Sequence, residues 1–370
     1  MTKMKKILYI GGFELPDKNA AAQRVLANAK LLREMNFEVK FVGISKDIAN
    51  APQEIDGFQS NPIPYPKSTK DWFHQILTFI DAERVISENP DYVVLYNFPS
   101  VASLKILKAC HKHGIKVIHD LTEWESAPHW DARSIMRKID INLRMRYCMK
   151  RMDGVICISR YLFDFYRKYT RVILVPPTVN LDDPKWDRNR LISTNEQVKL
   201  IYAGNAEFGT KDRLDIIVQE VGKNPMLWLD IIGMTKDQYE NGYKTKINYP
   251  NIVFHGRIPH KQAVKAVQDA DFQMLIREST LKNNAGFPTK FVESISSGTP
   301  LIATLTSNIG DYIVDGKNSI IVNDMASISE ILSRVGRLTK DERKQMKCYC
   351  LGMTCFDYRM YKDELSKMFY

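Results

Sequence analysis

Short apolar runs alternate with longer amphipathic segments, and this alternation runs twice along the 370 residues of the chain. The first apolar run, Ile7–Ile10, ends in Gly11-Gly12 and is typical of a buried parallel strand followed by a glycine turn. An amphipathic helix over 20–35 and a second strand over 39–44 complete a β-α-β unit. The sequence therefore predicts an α/β fold built on doubly wound sheets.

The first series of strands and helices extends to about residue 180. Residues 45–70 carry four prolines and few periodic apolar residues, which predicts a loop. Helices are then predicted over 71–88, 100–113 and 131–152, and strands over 92–96, 115–118, 153–159 and, with a proline turn, 172–180. The polar residues 181–196 predict a linker.

A second series follows the linker. Strands are predicted over 198–204, 227–232, 251–259, 271–276, 301–304, 312–318 and 320–322, with a helix over 260–269. Two helices follow, and the last amphipathic helix covers about 356–369. A chain of this length is large enough for two domains of ordinary size. We expect two Rossmann-like domains that face each other across a cleft.

Composition narrows the class of protein without naming its partner. The net charge of +10 and pI near 9.1 favour nucleic acid, an anionic membrane surface or phosphorylated substrates. Basic residues are not interleaved with aromatic ones, so nucleic-acid binding is the least favoured class. The six cysteines show no Cys-x-x-Cys spacing, which indicates a reduced, cytosolic protein. No apolar run approaches 18 residues, and the apolar run after Lys3, Lys5 and Lys6 ends too early for a signal peptide.

The stretch Ala285–Pro300 predicts a tight loop, a short helix and a Gly-x-Pro turn. Lys290 and Glu293 are three residues apart, which places them on one face of the helix. The helix N-terminus and Lys290 suit a phosphate group, while the Glu293 carboxylate can accept hydrogen bonds from a vicinal diol such as ribose. The alternative is a buried helix start with Lys290 and Glu293 as a surface pair.

This stretch resembles the donor-sugar motif of glycosyltransferase family 4, whose members have the GT-B fold. Phe287, Glu293, Gly298 and Pro300 match the motif, while Ala285 and Pro288 replace its first glutamate and a glycine. The resemblance implies that Glu293 binds the ribose. It extends to nearly the whole chain, including Asp153–Ser159 and the final strands.

The resemblance also implies further donor-binding residues. In many relatives a lysine in the loop after the first strand of the second domain holds the donor diphosphate, and Lys211 matches it. Asn205 stands where relatives often have an arginine, and Arg213 or Arg257 is a candidate to compensate. The nucleotide base is expected near the backbone of Arg257 and Ile258. The predicted donor-binding residues are Gly12, Gly204, Lys211, Arg257, Ile258, Arg277, Gly286, Phe287, Lys290 and Glu293.

Charged residues follow the predicted strand 115–118, at an edge where open α/β sheets bind ligands. His119, Asp120 and Glu123 are therefore candidates to orient or deprotonate an acceptor hydroxyl. The alternative is that Asp120 or Thr122 caps the next segment. Arg24, near the start of the first helix, is either a phosphate ligand or a solvated side chain.

The basic amphipathic segment 131–152 has two interpretations. Ile135, Ile139, Leu143 and Tyr147 fall on one helical face among many arginines and lysines. A packed helix with a solvated outer face is favoured, and a helix bound to an anionic bilayer is the alternative.

The resemblance implies a retaining, metal-independent glycosyltransferase that uses a UDP- or GDP-sugar and no cofactor. The expected acceptor is a glycan or lipid-linked glycan of bacterial surface polysaccharide or glycolipid biosynthesis, and the expected location is the cytoplasm, at the inner face of the plasma membrane. The predicted domains are an acceptor-binding domain over 1–180, a linker over 181–196, a nucleotide-sugar-binding domain over 197–352 and a terminal helix over 353–370 that crosses back to the first domain. A sugar-nucleotide epimerase and a non-catalytic partner subunit are the alternatives.

Overall fold

A computed structural model describes residues 4–16, 20–124, 132–190, 194–205, 207–209 and 211–370, with the backbone alone for Ala132 and Arg133. Parts of five predicted segments lie outside these residues: the charged residues Lys3, Asp17 and Lys18 that flank the apolar N-terminal run, the loop after His119, the start of the basic helix, the linker and the loop before Lys211. The chain divides into two compact units. Unit 1 comprises Met1–Val179, Ala285–Phe287 and Tyr358–Tyr370, and unit 2 comprises Asn180–Asn284 and Pro288–Asp357.

Unit 1 is built on a sheet with helices between its strands. Its strands are β1 (Lys5–Gly11), β2 (Phe37–Val42), β3 (Ile44–Ser45), β4 (Glu54–Ile55), β5 (Phe58–Ser60), β6 (Ile63–Pro64), β7 (Tyr92–Tyr96), β8 (Lys116–Leu121), β9 (Gly154–Cys157) and β10 (Val172–Leu174). Its helices before residue 180 are α1 (Ala20–Glu34), α2 (Thr69–Thr78), α3 (Ala82–Ser87), α4 (Ser100–Lys112), α5 (Ala132–Leu143) and α6 (Arg160–Tyr166).

The eight-stranded sheet of unit 1 has the order β10-β9-β8-β7-β1-β2-β5-β4. Every pair in it is parallel except β4 with β5. The order reverses between β1 and β7, and the carboxyl ends at such a reversal are where open α/β sheets bind ligands. The β1 strand and the central strand β7 are almost wholly buried, as their continuous apolar runs predict.

Unit 2 repeats the architecture with six strands. They are β11 (Val198–Ala203), β12 (Leu227–Ile232), β13 (Ile252–Gly256), β14 (Phe272–Leu275), β15 (Leu301–Ala303) and β16 (Ser319–Ile321). The helices are α7 (Leu214–Gly222), α8 (Lys236–Tyr243), α9 (His260–Asp269), α10 (Leu281–Ala285), α11 (Thr289–Ser296), α12 (Ile328–Val335) and α13 (Lys340–Gly352). The strand order is β13-β12-β11-β14-β15-β16, which is the doubly wound order with its reversal between β11 and β14.

The terminal helix α14 (Lys362–Phe369) belongs to unit 1, which confirms the prediction that the chain crosses back to the first domain. Its Leu365, Met368 and Phe369 lie in the hydrophobic core of unit 1. The Tyr92 hydroxyl donates a hydrogen bond to the Phe369 carbonyl at 2.6 Å. The last residues of the chain therefore complete the core that the first strands begin.

Residues 45–70 differ from the predicted loop. They contain three short strands, and β5 extends the sheet by pairing with β2. A hairpin joins β4 and β5 through Asp56 and Gly57, whose φ angles are 51° and 78°. Asp-Gly is a favoured pair for such turns, so the sequence carried a hairpin signal that the prolines obscured.

Three other predicted elements are corrected. The helix over 71–88 is interrupted, because the Asp81 carboxylate accepts from the Glu83 N–H and starts α3 separately. The predicted strand 312–318 is a turn, since the Asn318 side chain bonds the Tyr312 carbonyl and the Val314 N–H, both at 2.8 Å. The predicted basic helix is α-helical only as far as Leu143. A π-helical turn over Arg144–Cys148 and a 3-10 turn over Met149–Arg151 follow it.

The predicted linker is packed within unit 2 over the part that the structure describes. Trp186 is buried, and the Gln268 amide donates to the carbonyls of Lys185 and Trp186 at 2.9 and 2.8 Å. Arg188 donates to carbonyls at the C-terminal end of α13, those of Leu351 and, at 3.0 Å, Met353. No helix among the described residues is long and apolar enough to cross a bilayer.

Candidate active site

Two predicted donor-binding residues lie where the strand order of unit 2 reverses. Gly204 directly follows β11, and Arg277 lies two residues after the end of β14. Because β11 and β14 are parallel neighbours, their carboxyl ends lie side by side at the edge where doubly wound sheets bind ligands. Gly204 has a φ of 137°, and a Cβ atom built on it would lie 2.2 Å from Cε of Lys290. Glycine is therefore required by both backbone conformation and space.

Lys290 lies in the first turn of α11, which begins after Pro288 as predicted. The apolar face predicted for this helix is buried, and so is Lys290. Its Nζ donates to the Tyr202 hydroxyl at 2.6 Å and to the Asp212 carboxylate. Burial lowers the pKa of Lys290 to about 8, although the negative charge of Asp212 opposes this shift. The alternative of an exposed pair with Glu293 is therefore wrong.

Asp212 is the acceptor at the centre of this cluster, and sequence reasoning missed it. Its side chain is fully buried and accepts from Lys290, from Arg277 Nε and, at 2.6 Å, from the Tyr202 hydroxyl. The positive charges of Lys290 and Arg277 hold its pKa well below the usual range of an aspartate, against the effect of burial. A buried ion pair that loses one partner costs about 3–5 kcal/mol, so these groups stabilise one another.

Arg277 is held by its backbone as well as by Asp212. Its N–H donates to Thr304 Oγ1 at 2.7 Å, and the Thr304 hydroxyl donates to the Arg277 carbonyl at 2.7 Å. The guanidinium reaches Asp212 through Nε. Only 5% of the side chain is exposed, yet neither of its two terminal nitrogens bonds to any residue within the described ranges. Arg277 thus presents unbonded donors from a fixed position.

The predicted lysine of the phosphate loop lies outside this buried cluster. Lys211 is partly exposed, and its Nζ is 3.8 Å from Glu207. Glu207 also accepts from Lys282 at 2.5 Å. The Arg213 guanidinium is held by Asp215 and Glu278. These pairs at the protein surface are weak, so Lys211 is free to exchange its partner for a ligand at small energetic cost.

The remaining predicted residues of unit 2 lie around α9 and α11. Glu293 is partly exposed, and its carboxylate is 3.5 Å from His260 Nε2. Arg257 is exposed directly after β13, whereas Ile258 packs against a small apolar cluster that includes Ile201 and Val267. Both Glu293 and Lys290 belong to α11. The helix therefore directs a carboxylate toward the surface of unit 2 and an ammonium group toward its buried interior.

The predicted catalytic residues of unit 1 have different degrees of burial. His119 is fully buried, and its Nε2 accepts from the Phe98 N–H at 3.1 Å. Burial and the positive charge of Arg144 lower the pKa of His119 to about 3, so the ring is neutral near pH 7. Glu123 is partly exposed in the segment after β8. These positions argue against direct acid–base chemistry by His119 and leave Glu123 within reach of solvent.

Asp120 is an ion-pair partner in the core of unit 1. It accepts from Arg24 Nη2 at 2.7 Å and from the Tyr9 hydroxyl. Arg24 also donates to the Val175 and Pro176 carbonyls at 2.9 and 3.1 Å. Arg24 is thus neither a solvated side chain nor a free phosphate ligand, and both interpretations are corrected. The same contacts hold Asp120 in the interior of unit 1, so the alternative of a helix cap is wrong, and its predicted catalytic role stays a prediction.

The glycine turn after β1 and the loop before α11 are the last predicted parts. Gly11, rather than Gly12, is sterically required, because its Cβ would lie 2.6 Å from the Tyr96 carbonyl oxygen. A Cβ on Gly12 would meet nothing within 4 Å. Gly286 and Phe287 belong to unit 1, where Gly286 is partly exposed and Phe287 is buried. In the same unit, the Ser159 hydroxyl donates to the Ala285 carbonyl at 2.7 Å.

Two family models match the chain. The model described as Glycosyltransferase Family 4 matches residues 21–183, and the model described as Glycosyl transferases group 1 matches residues 187–349. No curated protein matches the chain. The matches do not favour the alternatives of an epimerase or a non-catalytic subunit.

Solved structures share the fold over nearly the whole length. Sucrose-phosphate synthase from Thermosynechococcus elongatus has a TM-score of 0.67 at 12% identity, covering 99% of this chain and 98% of that one. The lipopolysaccharide outer core galactosyltransferase WaaB gives 0.65 at 16% identity, with 98% and 99% covered. HepE from Anabaena in complex with UDP-glucose gives 0.66 at 11% identity, with 98% and 99% covered. Together with the two family matches, this fold shows that the chain belongs to the GT-B glycosyltransferases of the family 4 type and is a sugar-nucleotide glycosyltransferase.

Proposed function

We propose that the protein transfers a sugar from UDP or GDP to a hydroxyl group of a lipid-linked glycan, as a step in bacterial surface polysaccharide or glycolipid biosynthesis. The transfer retains the configuration at the anomeric carbon and needs no metal ion. A UDP donor is supported by the likeness to HepE, whose structure contains UDP-glucose. The observation that carries the proposal is the cation cluster of unit 2, formed by Lys290 and Arg277 around Asp212.

The cluster supports a role in stabilising the departing diphosphate. When the bond between sugar and phosphate breaks, negative charge develops on the leaving oxygen. Donors fixed in a water-poor site stabilise such charge more strongly than donors in water, because they need no reorganisation. Lys290 and Arg277 are both buried and held in place by Asp212. Their positive charges can substitute for a divalent cation on the diphosphate.

The predicted contribution of Glu293 is recognition of the ribose. Its carboxylate is partly exposed and belongs to the same helix as Lys290. A carboxylate accepts two hydrogen bonds from a vicinal diol and so favours a ribonucleotide over a nucleotide without the 2′-hydroxyl. Ala285 offers no carboxylate, so recognition of the donor sugar must use other groups than in relatives that have a glutamate there.

The test is a thermal-shift screen of UDP, GDP, ADP and CDP, followed by their common sugar conjugates. The nucleotide that binds stabilises the native protein by mass action, with about 2.7 kcal/mol expected at a ligand concentration of 100 Kd. The conjugate that binds is then incubated with lipid-linked acceptors. Proton NMR of the anomeric signal distinguishes retention from inversion, and parallel reactions with EDTA test metal independence. An absence of any nucleotide-dependent shift would contradict the proposal.

We also propose that the protein binds the surface of an anionic membrane through α5 and the turns that follow it. Ile135, Ile139 and Tyr147 are exposed on the face that the periodicity predicted, with Ile139 61% exposed. Cations lie beside them: the Arg151 guanidinium stacks 3.3 Å from the Tyr147 ring centroid, and Arg146 is exposed. Exposed apolar residues flanked by arginine and lysine are typical of helices that lie in a bilayer interface.

Liposome sedimentation tests this surface. Wild-type protein should sediment with vesicles that contain about 30 % phosphatidylglycerol, and it should sediment less as added salt screens the attraction. Ile139→Glu should reduce sedimentation several-fold. Met360→Glu is the matched control. Met360 is 63% exposed in another part of unit 1, and its replacement by glutamate introduces the same charge. Equal loss in both variants would indicate a general charge effect and would contradict this surface.

A further inference from the structure

The Asp212 carboxylate occupies an unusual position for a charged group. It is fully buried in the loop between β11 and α7, and it faces two cations and a hydroxyl rather than solvent. Burying a carboxylate is unfavourable unless hydrogen bonds and opposite charges compensate. Asp212 has both, and its three partners come from β11, from the end of β14 and from α11. One side chain therefore links three separate elements.

The geometry of these bonds leaves donors available. Arg277 uses Nε for Asp212, so its two terminal nitrogens, which contact no hydrogen-bond acceptor in the described parts of the chain, form a planar fork. Lys290 uses its ammonium on Tyr202 and Asp212, and an ammonium has three N–H donors. One donor of Lys290 and the fork of Arg277 thus remain for an anion. A guanidinium fork suits bidentate binding of phosphate oxygens.

We propose that Asp212 is a positioning residue of the transfer reaction, which holds Arg277 and Lys290 so that their unbonded donors bind the diphosphate of the donor. This inference rests on the proposed function and adds a residue that the donor motif does not contain. Asp212 does not contact the substrate itself. It acts by fixing the Arg277 guanidinium through Nε and by keeping the buried Lys290 ammonium protonated.

The sign of one measurement separates positioning from simple charge balance. Asp212→Asn removes one negative charge and nearly preserves the shape of the side chain. If Asp212 only neutralised the site, its removal would strengthen the binding of an anion, because the site would become more positive. If Asp212 positions the two cations, binding weakens despite the lost negative charge. Lys290 would also lose the opposite charge that favours its protonated form.

The experiment measures UDP and GDP binding to the full chain by isothermal titration calorimetry at pH 7. We expect the nucleotide that binds to the wild type to bind Asp212→Asn about tenfold or more weakly. Asp215→Asn is the matched control, since Asp215 lies only three residues after Asp212 and makes a partly exposed pair with Arg213. The control should retain wild-type affinity. Carbon-13 NMR of labelled lysines provides the second readout: the pKa of Lys290 should fall in Asp212→Asn and stay unchanged in Asp215→Asn.

The outcomes distinguish this inference from the function on which it rests. A wild-type protein that binds neither nucleotide overturns the proposed function and the inference together. Unchanged or tighter nucleotide binding by Asp212→Asn, with the wild type binding normally, overturns the inference alone. Should Asp212→Asn fail to fold, Tyr202→Phe replaces it, because this change removes one hydrogen bond from Asp212 and one from Lys290 without changing charge. A smaller but measurable loss of affinity is expected there, and no loss overturns the inference.

Discussion

Replacing Gly204 with alanine tests the geometry of the cation cluster directly. The new Cβ atom would lie 2.2 Å from Cε and 2.9 Å from Nζ of Lys290. Non-bonded carbon atoms prefer a separation of about 3.5–4.0 Å, so the end of Lys290 must move by more than about 1 Å. The Nζ–Tyr202 hydrogen bond of 2.6 Å would then be lengthened or broken, and the bond to Asp212 with it.

Two contributions to the effect can be separated. Alanine at a φ of 137° is strained, which should lower the free energy of unfolding of unit 2 by about 1–3 kcal/mol. Displacement of the buried Lys290 ammonium from Asp212 and Tyr202 adds to that loss, by up to about 3–5 kcal/mol if the ion pair breaks completely. Movement of Lys290 should also weaken nucleotide binding, since each charge-assisted hydrogen bond contributes about 1.5–3 kcal/mol.

Two other glycines of unit 2 provide the controls. Gly316 has a φ of 73° and open space around its Cβ position, so Gly316→Ala introduces backbone strain without a contact. Gly310 has open space and no positive φ, so Gly310→Ala introduces neither. Urea denaturation gives the free energy of unfolding, and titration calorimetry gives nucleotide affinity. We expect Gly204→Ala alone to lose affinity, by tenfold or more, while both Gly204→Ala and Gly316→Ala lose stability.

A single result would refute this reasoning. If Gly204→Ala bound nucleotide as tightly as Gly310→Ala while remaining folded, Lys290 would not need its present position for binding. The assignment of the cluster to the diphosphate would then be wrong, whatever the change in stability.

Two further predictions concern pH and the terminal helix. Because burial lowers the pKa of Lys290 to about 8, the ammonium loses its proton as pH rises through that value, and nucleotide affinity should fall about tenfold between pH 7 and pH 9; calorimetry at each pH checks this, and Lys290→Met should show weak binding without that dependence. Leu365 is fully buried in the core of unit 1, so Leu365→Ala should lower the free energy of unfolding of unit 1 by about 2–5 kcal/mol. Leu77→Ala, at a 47% exposed position of the same unit, should change it by less than about 0.5 kcal/mol in the same denaturation assay, and equal effects would show that α14 is not part of that core.

The strands were predictable because each is a short apolar run bounded by turn residues. The predicted bounds agree with the structure for β7 and β12, and for α9 among the helices. Errors fell where side chains hydrogen-bond the local backbone. Asn318 folds 312–318 into a turn, and the cap at Asp81 divides one predicted helix into two. Such local hydrogen bonds compete with regular secondary structure, and the periodicity of apolar residues does not reveal them.

The site was predictable in its positions but not in its pairs. Gly204 and Arg277 follow strands, and Lys290 begins a helix, so each could be selected from local pattern alone. The sequence did not reveal that Lys290 and Arg277 share the Asp212 carboxylate, because those partners are 78 and 65 residues apart in the chain. Burial of His119 and Asp120 near the end of β8, and of Arg24 in α1, was missed for the same reason: polar residues look alike in sequence whether they face solvent or a core partner.

The sequence by itself determined two α/β units and the strand ends that carry the functional residues, because the periods of apolar residues and the turn residues are local properties of the chain. Only the tertiary structure decided which charges meet. Parallel strands bring distant loops to one edge of the sheet, and the electrostatic environment there depends on burial and on partners that local pattern does not encode. A lysine that looked free for phosphate is thereby shown to share its charge with an aspartate.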